Sequence, residues 1–287
     1  MGDPVPDPNH KGIGMMATST KSNETSTGTV ARVTLLLRVL AEAEGEANLG
    51  DIAERMKLPV STTHRLLNLL LEQGFVRRRP GSRVYGPGLE FLRVGGLVTS
   101  RSEVAEVAHG FMQAVVEACD ETCMLSLYVP RQQASMIAKV IYGSHPLRYE
   151  AAMYQPTTLV WGATGRGILA FLPEDVIDAV LAKEEPSPAT GRKMGKAIQI
   201  KSELAKVRDQ GYVHSSGQKV VGAEGFAAPV FDSAGVIGAL CITLPKSRFK
   251  ESMQPRIVRS LVDQAARFSS TLGHRDVATS RPKTAKH

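Results

Sequence analysis

The chain has 287 residues, with 35 Lys and Arg against 28 Asp and Glu, a formal net charge of +7. Hydrophobic residues make up 43% and charged residues 22%, which excludes a wholly disordered chain and, at roughly 100–200 residues per domain, predicts two domains. No apolar run approaches the ~20 residues that span a bilayer, and the start MGDPVPDPNH lacks the basic and apolar parts of a secretory signal. A soluble cytoplasmic protein without a membrane partner is expected.

Residues 1–28, rich in Ser, Thr, Pro, Gly and Asn, read as a disordered leader. Val30, Val33, Leu36, Leu37 and Leu40 then fall at helical spacing, and Gly45 ends that helix. A short second helix covers about 50–56. Pro59 makes 57–60 a turn. Ser61 is placed to cap a third helix running to about Gln73, and Gly74 stops it. Residues 75–79 and 83–85 read as strands around a Pro80-Gly81-Ser82 turn. Residues 87–120 read as helix with a break near Gly95-Gly96. Val104, Val107, Phe111, Val115 and Cys119 form one apolar stripe there. Beyond 122, strands are expected at 124–129, 135–142, 147–153, 226–231 and 236–244. Helices are expected at 165–171, 175–183, 200–210 and 253–272. The fold class is therefore α+β. It comprises a winged helix-turn-helix at 29–86, a linker helix at 87–102 and a mixed sheet domain at 103–273. The basic stretch 274–287 reads as a disordered tail.

Helix, turn, helix and basic hairpin, in that order, make the winged helix-turn-helix arrangement, so the expected partner is double-stranded DNA. The first turn of the third helix carries Ser61, Thr62, Thr63, His64 and Arg65. Hydroxyls and free N–H groups suit phosphates, and Arg65 suits guanine O6 and N7. Thr63 and His64 face either the groove or the first helix. Arg77, Arg78, Arg79 and Arg83 supply hairpin cations with no acid beside them in sequence. Lys57 stands at a turn position that usually wants Gly at positive φ.

Cys119, Cys123 and Cys241 form no disulfide framework. The i, i+4 pair has no nearby His to complete a zinc site. Neither a metal nor a cofactor is expected. GATGRG at 162–167 lacks the order of a dinucleotide fingerprint and the Lys-Ser/Thr pair of a P-loop. His109, His145 and His214 stand in no recognisable nucleophile motif. An enzyme is not expected. The rival is a metabolite-binding enzyme with a DNA-binding appendage, which turnover of a bound metabolite would reveal. A purely architectural DNA binder would have no need of a pocketed second domain.

Residues 49–95, which include LPVSTTHRLLNLL, resemble the DNA-binding domain of the isocitrate-lyase-regulator (IclR) family of bacterial transcription factors. The second half resembles it through LRYEAAM at 147–153, GATGRGILAFLP at 162–173, ELAKVRDQGYVHS at 203–215 and GFAAPVFDSAGVIGALCITLP at 225–245. The resemblance spans about 30–273. It implies a GAF-like effector domain, a homodimer or dimer of dimers on a palindromic operator, and control of a catabolic operon by a small metabolite. It also implies an effector pocket around Ala163, Thr164 and Gly165, Ser215 and Ser216, Gly225 and Phe226, and Cys241 and Thr243. The chain departs from the family at 158–163, at Arg166 where Lys is usual, and at Ser216-Gly217-Gln218, where acids are usual. Trp161, the only Trp, reads as packing or as pocket lining. Arg148 and Arg166 read as carboxylate partners or as solvated surface. The helix expected from Gly165 offers a positive dipole end. With the usual acids absent after Tyr212, a small organic acid is the expected effector, an aromatic one favoured.

Overall fold

The computed structural model describes residues 28–43, 45–100, 103–183 and 185–275. The leader expected at 1–28, apart from Gly28, lies outside them, as does the tail at 274–287, apart from His274 and Arg275. The chain divides into two compact units, Met1–Ser100 and Arg101–His287.

In the first unit, α1 (Thr29–Ala41) buries Leu36, Val39 and Leu40. Strand β1 (Ala47–Asn48) leads into α2 (Leu49–Met56), where the Asn48 side chain accepts a 3.0 Å hydrogen bond from the Asp51 N–H and caps the helix. Helix α3 (Val60–Glu72), strands β2 (Val76–Arg78) and β3 (Val84–Pro87), and helix α4 (Leu89–Ser100) follow. The strands form one sheet in the order β1-β3-β2. Ile52 and Met56 of α2 share a buried cluster with Leu66, Leu67 and Leu70 of α3 and with Tyr85. This packing fixes the helix-turn-helix.

Three local expectations need revision or sharpening. Helix α3 starts at Val60 because Pro59, at φ −55° and ψ 142°, takes the cap position. No side chain caps the helix, so Ser61 is not its cap. The first N–H groups of α3 are left for an outside acceptor. Helix α4 continues through Gly95 and Gly96 to Ser100. Glycine weakens a helix by about 1 kcal/mol but keeps the N–H that proline removes. Lys57 does take the left-handed conformation, φ 53° and ψ 42°, and its N–H closes α2 onto Glu54 O at 2.9 Å. Lys57→Gly should therefore stabilise the chain by about 0.5–1 kcal/mol. Chemical denaturation showing no gain would mean the strain is relieved by contacts the backbone angles do not reveal.

The second unit is built on a six-stranded sheet, flanked by α5 (Glu103–Cys119), α6 (Gly162–Leu169), α7 (Glu174–Leu181), α8 (Ala197–Gln210) and α9 (Gln254–Thr271). Its strands are β4 (Thr122–Val129), β5 (Ala134–Ile141), β6 (Pro156–Thr157), β7 (Val213–Ser216), β8 (Ala223–Phe231) and β9 (Val236–Pro245), in the order β6-β5-β4-β9-β8-β7. All five pairings are antiparallel. Side chains alternate between two faces. Cys123, Leu125, Phe226, Ala228, Leu240 and Ile242 bury one face against α5 and α9. Met124, Val213, Ala227, Ala239 and Cys241 bury the other with α6, α7 and α8.

The stripe expected on α5 is rotated. Ala105, Ala108, Met112, Val115 and Cys119 are buried, whereas Val107 is 38% exposed. Ala105 and Ala108 face inward together with the larger Met112 and Val115 where α5 lies against α9 and the sheet. The strand expected at 147–153 does not form. Only Met153 makes a bridge, to Ile137. Pro146 has no N–H to give a ladder, and the segment is held by side chains instead. The Arg248 Nη1–H donates to Leu147 O at 3.0 Å, and the Tyr149 hydroxyl donates to Val221 O at 3.1 Å. Among the described residues no helix is long and apolar enough to cross a membrane.

Candidate DNA-binding surface and effector cavity

The first turns of α3 leave Ser61 and Arg65 exposed and Thr62 and His64 partly so. Thr63 points inward. It is wholly buried, and its hydroxyl donates back to Pro59 O at 3.2 Å. It therefore builds the helix-turn-helix and is withdrawn from the DNA-facing set. On the hairpin all four arginines are exposed. Sequence proximity misled on their surroundings: Glu46 lies 2.7 Å from Arg77 and 2.6 Å from Arg79. Arg65, Arg78 and Arg83 make no ion pair among the described residues. The free cations are thus Arg65 on the helix and Arg78 and Arg83 on the wing.

The second unit holds a cavity of about 220 Å³, partly open to solvent, between the sheet, the start of α6, the 149–152 segment and the loop after β7. Ala163, Thr164, Ser215, Gly225 and Thr243 all stand in its wall. The other five expected residues do not. Phe226 is on the opposite face of the sheet, wholly buried, with its ring stacked on His214 at 4.3 Å. Ser216 shares that face, where its hydroxyl donates to Glu224. Each is the chain neighbour of a cavity residue, and strand alternation sends neighbours to opposite sides. Cys241 is on the correct face but lies under the floor, 1% exposed. Burial pushes its thiol up to about 12, against the opposing pull of a Thr164 hydrogen bond and the Lys219 charge. Trp161 is buried in the core, and its indole N–H donates to Glu185 O at 2.8 Å. Gly165 serves close packing, since a Cβ there would come within 2.5 Å of Thr158 O.

Helix α6 begins at Gly162, three residues before the expected start, at φ 79°. No side chain caps it in the usual way. Gln218 Oε1 accepts from the Gly162 N–H at a long 3.4 Å. Ala163 and Thr164, in its first turn, face the cavity. Arg166 is committed elsewhere, with its Nε–H on Val160 O and a guanidinium N–H on Glu203. Arg148 lies over the Tyr142 ring at 4.2 Å.

The residue that dominates the cavity's charge is Lys219. It is partly buried in the wall, and its ammonium donates to the Thr157 hydroxyl at 2.8 Å. Burial pulls its pKa below the ordinary lysine value, and Cys241 opposes this. No carboxylate pairs with it among the described residues; Glu150 also lines the cavity but is exposed.

Comparison with known proteins matches both units. Residues 29–80 match the IclR helix-turn-helix domain, and residues 96–270 match the bacterial transcriptional regulator IclR C-terminal domain. The chain belongs to the IclR family. The transcriptional repressor IclR of Escherichia coli is 26% identical over 230 residues, covering 79% of this chain and 84% of that protein. An IclR-type regulator from Silicibacter superposes with a TM-score of 0.76 at 25% identity, covering 86% of this chain and 97% of the other. An IclR homologue from Microbacterium hydrocarbonoxydans, solved in complex with 4-hydroxybenzoate, superposes with a TM-score of 0.70 at 22% identity. It covers 85% of this chain and 98% of its own. The curated relatives are named as regulators and repressors. This IclR-family chain is likewise a DNA-binding transcriptional regulator.

In this IclR-family member two features escaped sequence reasoning. Lys219 sits in a polar Ser-Ser-Gly-Gln-Lys run that reads as surface, and lysine is rarely buried. Glu46 is far from the wing in sequence. Only the antiparallel pairing of Ala47 with Tyr85 brings it there.

Proposed function

We propose that the chain is a cytoplasmic, dimeric regulator of a catabolic operon whose grip on a palindromic operator responds to a small organic acid held in the second unit. The observation that carries this reading is Lys219, a cation without a carboxylate partner among the described residues, in a cavity whose one other charged side chain, Glu150, is exposed and whose remaining wall is apolar groups, hydroxyls and the Gln218 amide. Such a site favours an anion, because an unpaired buried charge is costly. The open N–H groups at the start of α6 add to that preference. Ser215, Thr164 and Thr243 supply further hydrogen bonds. A cavity of about 150 Å³ accommodates benzene, so about 220 Å³ accommodates one ring with a carboxylate. The 4-hydroxybenzoate belongs to the Microbacterium protein; here an aromatic monoacid is the first class to try. One α3 helix reads only a few base pairs, and a dimer doubles the contacts on half-sites a helical turn apart. The acid can shift operator affinity only by its preference between two conformations.

Titration with aromatic and aliphatic acids, followed by Trp161 fluorescence and by release of DNA, tests the reading. Saturable binding of a carboxylate that also changes DNA affinity is the expected result. Saturable binding of uncharged or cationic compounds, with none by any carboxylate, sinks it. Loss of binding in Ser215→Ala and Thr243→Val, with DNA affinity intact, locates the ligand.

A further inference from the structure

We propose that Glu46 is a specificity-determining residue of the wing, one that holds Arg77 and Arg79 back from indiscriminate phosphate contact. Its carboxylate is shared, with Oε1 2.7 Å from Arg77 Nη1 and Oε2 2.6 Å from Arg79 Nη2. The Glu46 side chain is only 14% exposed, while those of Arg77 and Arg79 are 61% and 64% exposed. The acid is sunk into the hairpin and the two arginines extend over it.

The hairpin is shaped to receive this acid. Arg77 pairs with Gly86 across β2 and β3. A Cβ on Gly86 would meet Glu46 Cγ at 3.3 Å and Arg77 Nε at 3.7 Å. The missing side chain leaves room for the Glu46 stem. Alternation puts Arg77 and Arg79 on one side of the strand and Arg78 on the other. The wing therefore carries one tethered pair of cations and, in Arg78 and Arg83, cations without an ion pair among the described residues.

Glu46, Arg77 and Arg79 together present one net positive charge instead of two. Random DNA is held by cations against phosphates, and each phosphate neutralised adds to affinity and to the salt slope. With both guanidiniums more than half exposed, the pair biases its arginines only modestly although the acid is largely covered. A phosphate placed correctly by base contacts can therefore still engage a guanidinium, which has five N–H donors. A phosphate met at random gains much less. The ratio of specific to non-specific affinity, on which operator search depends, widens as a result.

The test uses the full chain and a short duplex of random sequence. Glu46→Gln keeps the length of the side chain and removes its charge. Binding to random DNA is expected to tighten by about 3–10-fold, and the slope of log K against log salt to steepen by about 0.9 per bound subunit. Glu46→Met gives the same reading if the glutamine variant does not fold, with circular dichroism as the check. A purely structural Glu46 would leave the slope unchanged or weaken binding, and either outcome overturns the proposal. In an Arg77→Gln, Arg79→Gln background the same change at Glu46 is expected to gain far less. An equal gain there would reflect bulk charge alone and would also overturn the assignment.

Discussion

Lys219→Met is expected to weaken binding of benzoate or a related monocarboxylate by about 10–100-fold, the worth of one charge-assisted hydrogen bond. The same change should stabilise the ligand-free protein, by less than about 1 kcal/mol because the side chain is only partly buried. These effects have opposite signs for one reason. The cavity disfavours an ammonium whose one hydrogen-bond partner among the described residues is the Thr157 hydroxyl, and a bound carboxylate removes that penalty. The pH dependence follows. Burial lowers the folded-state pKa below the usual 10.5, so at neutral pH the charged Lys219 opposes folding. That cost is complete below the lowered pKa and fades as pH rises from there towards 10.5. Carboxylate affinity should fall over the same rise, earlier than for an ordinary lysine. Denaturation and binding isotherms of wild type and Lys219→Met across this range provide the check. Undiminished benzoate binding by the methionine variant would show that the anion is held elsewhere.

How much of this could be read in the chain follows the range of the interactions. The helix-turn-helix was legible because its signals are local. Apolar spacing, Pro59 in the turn and Gly74 after the helix all act within one or two turns. Strands β8 and β9 were legible through their apolar runs and the Asp232 turn, where one carboxylate oxygen accepts from the Ala234 and Gly235 N–H groups. The direction of each side chain was not. Ser215 with Ser216 and Gly225 with Phe226 were each named together, but in each pair only the first faces the cavity. Strand register decides this, and register is a property of the partner strands. The 147–153 segment has the composition of a strand, but of its residues only Met153 bridges to β5, at Ile137. Lys219 and Glu46 are harder still. Each owes its role to a contact across many residues, Lys219 with Thr157 and Glu46 with Arg77 and Arg79.

Arg65→Ala and Arg78→Ala should separate base reading from phosphate attraction. Arg65 is exposed on the first turns of α3, the part of a recognition helix that meets base edges in the major groove. If it spans guanine O6 and N7, its loss costs about 1–3 kcal/mol on the operator, about 5-fold to 150-fold, and little on random DNA. Arg78 is exposed on the wing, on the face away from Glu46, and makes no ion pair among the described residues. Its loss should weaken specific and random duplexes alike and flatten the salt slope by about 0.9 per subunit. The operator need not be known beforehand, because selection from a random duplex pool by the wild-type chain supplies it. Gel-shift titrations on the selected and scrambled duplexes at several salt concentrations then read both numbers. Thr63→Val is the internal control. Thr63 is wholly buried and its hydroxyl is bound to Pro59 O, so this change should lower stability and leave the specificity ratio unchanged. A selective loss of operator affinity in the Arg78 variant, or an even loss in the Arg65 variant, would reverse the roles assigned to helix and wing.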